Sequence, residues 1–273
     1  MSSYTARPTE IDVVAEARVN VSITGGVGWI TLDNPSKLNA ISTGMWHTVV
    51  DTLEAFEANA AVRCVVFSGH GDKAFCAGAD IAEKDQSARD SAPAADGEVF
   101  DALAKIRAFP KPTIAMISGY CLGAGIALAV ACDLRVASAT AHFGIPAAKL
   151  GLPYFYAGLK SLADLVGPST AKRIIFTADR FPAEEALRFR LIDELVPACD
   201  LPETVQALAS RIVANAPLTI AAAKHAVATA FSDNVDRDLA GDTERERACM
   251  ESQDYVEGRR AFIEKRPPVF QGR

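Results

Sequence analysis

The chain has 273 residues, 49% of them apolar, with 28 Lys and Arg against 34 Asp and Glu and a net charge of −6 at pH 7. That length can bury a large core in one domain or two small ones, and the acidic balance argues against nucleic acid or an anionic membrane as partner. No apolar run reaches the ~18 residues of a membrane span, and the N-terminus lacks a basic-then-apolar export pattern, so a cytoplasmic protein is expected.

Residues 1–17 are polar and mixed and read as a loose arm. Val19–Ile23 and Gly28–Leu32 alternate as strands around Gly25-Gly26, a hairpin signal. Asn34-Pro35-Ser36 is a turn. Thr43 is the expected cap of a helix reaching about Ala60, with Met45, Trp46, Val49, Val50, Leu53 and Phe56 on one side. Cys64–Phe67 is an apolar strand ending in a Gly/Asp turn, followed by the small residues Cys76–Ala79. Residues 82–97 are polar, charged and small, with no core pattern. Glu98–Phe109 reads as a helix stopped by Pro110. Thr113–Ser118 is a β-rich run that leads into the glycine-rich turn Gly119–Gly125, a small-residue helix Ile126–Ala131 and a second apolar run Leu134–Ser138. Further helices are expected at 157–166, 169–177, 183–190, 201–214, 218–231, 237–253 and 257–264. Strands and helices alternate over the first two thirds, and the last quarter is helical. The recurring strand–strand–helix unit fits a spiral α/β core.

The stretch Pro112–Gly151 organises the rest. Its glycines let backbone approach a ligand, since no Cβ intervenes, and the helix after them turns unpaired N–H groups toward whatever lies over the turn. A dinucleotide is one candidate, but Gly123-Ala-Gly125-Ile-Ala-Leu128 lacks the third glycine of that fingerprint and no acid follows about 20 residues on. A tightly packed strand–helix turn without ligand is the bland alternative. The second small-residue segment, Cys76–Ala79, could place another N–H beside the first, and two such donors form an oxyanion hole. Six cysteines at 64, 76, 121, 132, 199 and 249 show no CxxC or metal spacing and read as reduced thiols. The four histidines are scattered, so no metal site is expected. Asp133 and Arg135 read as a structural pair or as bonded to backbone. His142 reads as a packing or hydrogen-bonding residue.

Lys73–Ile81 (KAFCAGADI), followed by Pro112–Ser138 (PTIAMISGYCLGAGIALAVACDLRVAS), resembles the crotonase, or enoyl-CoA hydratase/isomerase, superfamily. So do Asn34–Ala40 (NPSKLNA), Ala183–Leu187 (AEEAL), Leu191–Pro197 (LIDELVP) and Phe262–Pro267 (FIEKRP). The likeness runs from about residue 18 to the end. It implies a crotonase-like spiral core over 18–200, followed by a C-terminal helical region over 201–273 that builds trimers, often stacked as hexamers. It implies an acyl-CoA thioester as ligand, coenzyme A being part of the substrate, and no separate cofactor. The N–H groups of Ala77 and Ala124 would form the thioester oxyanion hole. Lys37, Leu38, Ala40, Gly78, Ala79, Asp80 and Gly123 would line the substrate, with Phe262 and Lys265 reaching the CoA of this or a neighbouring subunit.

The family's hydratases carry one glutamate three residues past the hole residue of the glycine turn and another after the proline of Phe-Gly-x-Pro-Glu. Those positions are Ala127 and Ala147 here. A hole lowers the cost of an enolate, by about 3 kcal/mol per donor, but moves no protons. Tyr154, Tyr156, Asp80 and Lys149 are the candidates for acid or base. The tyrosines could equally be acyl-pocket lining, and Asp80 a structural acid. Two functions follow: an acyl-CoA enzyme with atypical proton-transfer groups, or an acyl-CoA binder or structural protein that kept the fold without the chemistry.

Overall fold

The computed structural model describes residues 17–80 and 95–273. The arm expected at 1–17, except Ala17, and the 82–97 segment up to residue 94 lie outside the described residues. Strand β1 (Arg18–Thr24) pairs antiparallel with β2 (Val27–Asp33) across Gly25-Gly26, as the hairpin signal predicts. Helix α1 (Thr43–Ala58) starts one residue earlier in capping terms than expected. Ser42, not Thr43, is the N-cap, its hydroxyl accepting from the Met45 N–H at 3.3 Å. The reason is that the cap stays outside the helix in extended geometry while its oxygen reaches the third N–H. The buried stripe of α1, Met45, Trp46, Val49, Leu53 and Phe56, recurs every three or four residues. Each such side chain contributes about 1.5–3 kcal/mol on burial.

Three strand–strand–helix units follow. They are β3 (Cys64–Gly69), β4 (Ala74–Cys76) and α2 (Ala95–Ala108); β5 (Thr113–Ile117), β6 (Tyr120–Leu122) and α3 (Ala124–Ala131); β7 (Leu134–Ser138), β8 (His142–Gly144) and the single turn α4 (Ala147–Leu150). Helices α5 (Tyr156–Val166) and α6 (Pro168–Thr177) come next. Then follow the short strand β9 (Phe181–Pro182), α7 (Ala183–Arg188), β10 (Glu194–Val196) and α8 (Leu201–Val213). The chain closes with α9 (Pro217–Phe231), α10 (Leu239–Glu251) and α11 (Gln253–Glu264).

The first strand of each unit joins a six-stranded sheet, ordered β1-β2-β3-β5-β7-β10, and the second joins a four-stranded sheet, ordered β4-β6-β8-β9. Apart from β1–β2 and β8–β9, all the pairings are parallel. The chain thus advances one strand along both sheets per unit, which is the spiral. Strands β4, β6 and β8 are three residues long, too short for a period-2 pattern to register. Helix α8 lies on the large sheet, with Leu201, Val205 and Ala209 buried against Val27, Cys64, Val66, Ile114 and Val136. It therefore packs with the core rather than with the last helices, unlike the division at residue 200 suggests.

Asp133 and Arg135 do not pair with each other. Asp133 accepts from the Thr113 N–H (2.7 Å) and hydroxyl (3.0 Å) and from Lys224 (2.7 Å). Arg135, 4% exposed, binds Asp193 (2.8 Å) and the Cys132 carbonyl (2.8 Å). Asp133 lies just before β7 and Arg135 within it, and each charge is met by groups from other parts of the chain rather than by the other. His142 is exposed and bonds through Nδ1 to the Thr140 carbonyl at 3.0 Å, so it is a surface hydrogen-bonding group rather than a packed one.

Candidate active site

The small sheet brings the two small-residue turns together. β4 and β6 run parallel with Cys76 opposite Cys121, so the residues after each strand, 77–80 and 123–125, emerge on the same side. The approach is close. A Cβ on Gly125 would lie 2.4 Å from the Cys76 carbonyl oxygen, and one on Gly123 would lie 3.8 Å from the Gly78 Cα. Gly125 is required by this contact between backbones.

Among the described residues, several backbone N–H groups at this junction have no acceptor: Gly78 and Ala79 on one side, and on the other Ala124, Gly125 and Ile126, the first residues of α3, which no preceding turn can satisfy. The loop 38–41 pairs with the 77–80 segment through Ala77 N–H to Leu38 O (3.1 Å), Ile41 N–H to Gly78 O (2.9 Å) and Asp80 N–H to Ile41 O (3.0 Å). Ala79 bridges Ile41 in parallel, and in such a ladder the bridged residue turns its own N–H away from the partner. Ala77, the expected hole residue, is thereby corrected: its N–H is already spent on Leu38. Gly78, at φ 119, breaks strand alternation between Ala77 and Ala79. Ala77 is expected from the resemblance alone, and nothing in the 76–79 segment itself says which N–H the distant 38–41 loop will take.

The other expected residues fall into three groups. Ala127, Ala147 and Tyr154 join Ala124 as half-buried residues packed on the same core cluster. Burial pushes the Tyr154 phenol well above its usual value, and the Cys121 thiol pushes it further. Tyr154 is accordingly held protonated, and the same shift makes it a weaker acid, so it is suited to donate a hydrogen bond rather than to give up its proton or act as a base. Lys37, Leu38, Ala40 and Asp80 sit in and against the 34–41 loop. Asp80 is 8% exposed and its carboxylate meets Lys37 Nζ at 2.5 Å, so both charges serve an ion pair across the two segments. The third group stands apart. Tyr156 opens α5 at 76% exposure. Lys149 pairs with Asp179 at 2.8 Å at the surface. Lys265 ends α11 exposed. Phe262 lines a separate cleft of about 690 Å³ with Met250, Tyr255, Ile263 and Phe270, to which neither small-residue turn contributes.

Among the described residues no group of three or more His, Cys, Asp and Glu side chains could hold a metal ion, and no helix is long and apolar enough to cross a membrane.

The described chain is a two-sheet spiral of strand–strand–helix units on an α/β scaffold, with unpaired N–H groups where its small sheet ends. Residues 22–273 match the family described as enoyl-CoA hydratase/isomerase. A short-chain-enoyl-CoA hydratase of Clostridium acetobutylicum is 34% identical over 247 residues, covering 89% of this chain and 93% of the relative. A carnitinyl-CoA dehydratase of Salmonella typhi is 33% identical over 261 residues, covering 93% and 98%. Among solved structures, an enoyl-CoA hydratase/carnithine racemase from Magnetospirillum magneticum superposes with TM-score 0.88 at 32% identity, covering 93% of this chain and 96% of that one. The chain belongs to the enoyl-CoA hydratase/isomerase family and has the crotonase fold.

Proposed function

We propose that the protein is an acyl-CoA-processing enzyme in which the N–H groups of Ala79 and Ala124 receive the thioester oxygen of the substrate. The observation that carries this reading is the adjoining Ala79 and Ala124 N–H groups, for which no acceptor is found among the described residues. A fixed donor aimed at developing negative charge stabilises an enolate or tetrahedral oxyanion without reorganising at the moment of reaction. The names of the relatives support a CoA thioester as the ligand. Leu38 and Ala40, beside the 77–80 segment, and Lys37, with its partner Asp80, would form one wall of the ligand's path. Tyr154, packed on the same cluster as Ala124, would serve as a hydrogen-bond donor rather than as an acid.

Ala127 and Ala147 favour a second reading. A methyl group accepts no proton, so the water addition of the relatives' hydratase chemistry has no carboxylate at these two places. On that reading the fold binds an acyl-CoA without turning it over. Exposed apolar residues on the last helices, among them Phe231, Leu239, Met250, Phe262 and Ile263, support association of several copies, for which a trimer or hexamer is our reading.

The test follows hydration of crotonyl-CoA by the purified protein, with CoA affinity measured by calorimetry on the same sample. Turnover above the uncatalysed rate, falling about 10²–10³-fold in Ala124→Pro while CoA affinity holds, is the expected result for a hole that acts on the transition state. Affinity without turnover favours the binder. Neither affinity nor turnover refutes the acyl-CoA reading.

A further inference from the structure

The direction of the Ala79 N–H depends on a loop that contributes no donor of its own. Residues 34–41 close into a compact knot with two successive non-glycine residues in left-handed geometry, Leu38 (φ 52) and Asn39 (φ 57). Asparagine tolerates that region better than most residues. Asn39 is 1% exposed, and its amide is fully used. Oδ1 accepts from the Asn34 N–H at 3.1 Å. Nδ2 donates to the His70 carbonyl at 3.0 Å and to the Ala74 carbonyl at 2.7 Å. The Asn39 N–H donates to Asn34 O at 2.8 Å, and Asn34 Nδ2 donates to Ala40 O at 2.9 Å.

These bonds connect three pieces of chain. His70 lies in the turn before β4 and Ala74 opens β4, so one amide group holds the start of the strand that ends in the 77–80 segment. The same loop then holds the far end of that segment through the Leu38, Ile41 and Gly78 backbone bonds. Segment 74–80 is therefore fixed at both ends by one loop. Gly69 leaves room for the amide: a Cβ there would stand 2.8 Å from Asn39 Nδ2.

We propose that Asn39 is a positioning residue for the oxyanion hole, setting where the Ala79 N–H points by tying the 34–41 loop to β4. This rests on the acyl-thioester reading above. The substitution Asn39→Asp keeps the shape, the left-handed backbone and the acceptor for Asn34. It replaces the Nδ2 donor by an oxygen facing two carbonyl oxygens, which must part. The donor at Ala79 then moves while the chain still folds.

The probe is 4-(dimethylamino)cinnamoyl-CoA, whose absorption moves to longer wavelength when its thioester carbonyl accepts hydrogen bonds. Wild type binds it with a red shift. Asn39→Asp is expected to bind it within about threefold of wild-type affinity but with at least half the red shift lost, in protein that still melts cooperatively. A full red shift in folded Asn39→Asp overturns the positioning role. A parallel loss of affinity and shift also overturns it, because the loop would then be holding the ligand rather than aiming a donor. If Asn39→Asp does not fold, Asn34→Ser, which removes the bond to Ala40 O and the long 3.4 Å bond from the Ser36 hydroxyl, is read by the same two criteria. Absence of any shift on the wild type, despite binding, refutes the hole itself, a failure distinct from that of Asn39.

Discussion

Gly125→Ala tests the contact that places the two small-residue turns side by side. The added Cβ would lie 2.4 Å from the Cys76 carbonyl oxygen, 2.9 Å from its Cβ and 3.2 Å from its carbonyl carbon. The nearest atom is backbone of β4, so no rotamer change can relieve it. Helix α3 and β4 must separate by more than half an ångström. Overpacking of this kind costs about 1–3 kcal/mol, while Ala is favoured over Gly in a helix by about 1 kcal/mol. A net destabilisation of up to about 2 kcal/mol is expected, a fall of a few degrees in Tm. The separation also pulls Ala124 from Ala79, and a misplacement near 1 Å can cost about 10²-fold in rate. Gly97→Ala is the internal comparison. It also lies in a helix, α2, but no atom of the described residues stands within 4 Å of its Cβ, so it is expected to be neutral or stabilising by up to about 1 kcal/mol. Scanning calorimetry of both variants, with turnover on the active acyl-CoA, measures the two effects. A Gly125→Ala protein that melts at or above wild type would refute the reasoning, since helix propensity would then outweigh the clash.

Other outcomes follow from single groups. Asp254, 3% exposed, accepts from the Gln271 N–H (2.6 Å) and Gly272 N–H (2.7 Å); Asp254→Ala should cost about 1–3 kcal/mol, and limited carboxypeptidase digestion should release the tail faster than in wild type. Glu257 is held at about 2, against 4.5 unperturbed, by hydrogen bonds from Arg266 and the Val269 N–H. A lowered folded value means the bond stabilises fully above pH 4.5 and is lost as pH falls toward 2, so the Tm gap between wild type and Glu257→Gln should be complete at pH 6 and close in acid, about pH 2, as a pH series of melts would show. Burial raises the Cys64, Cys76 and Cys132 thiols to about 12 and Cys121 well above its usual value. Iodoacetamide at about pH 8 should therefore label Cys199 and Cys249 in the native protein and the other four only after denaturation, as peptide mapping would read.

Local chemistry alone determined much of this protein. The Gly25-Gly26 hairpin, the apolar stripe of α1, the runs that became β3, β5 and β7, and the glycine turn ahead of α3 were legible because each is a periodic or turn signal confined to a few neighbouring residues. The motif pairs at 73–81 and 112–138 also carried the family. Tertiary structure decided the rest. Strands β4, β6 and β8 exist because each finds a neighbour in the small sheet, a reward that a three-residue segment cannot announce in its own pattern. Asp133 and Arg135 went to Lys224 and Asp193, 91 and 58 residues away. The Ala77 N–H is spent because the Leu38 carbonyl, brought in by the left-handed turn at Leu38 and Asn39, takes it, and Ala79 is therefore the donor we propose. Which backbone group stays unpaired is a property of the completed hydrogen-bond network, and no single segment contains it.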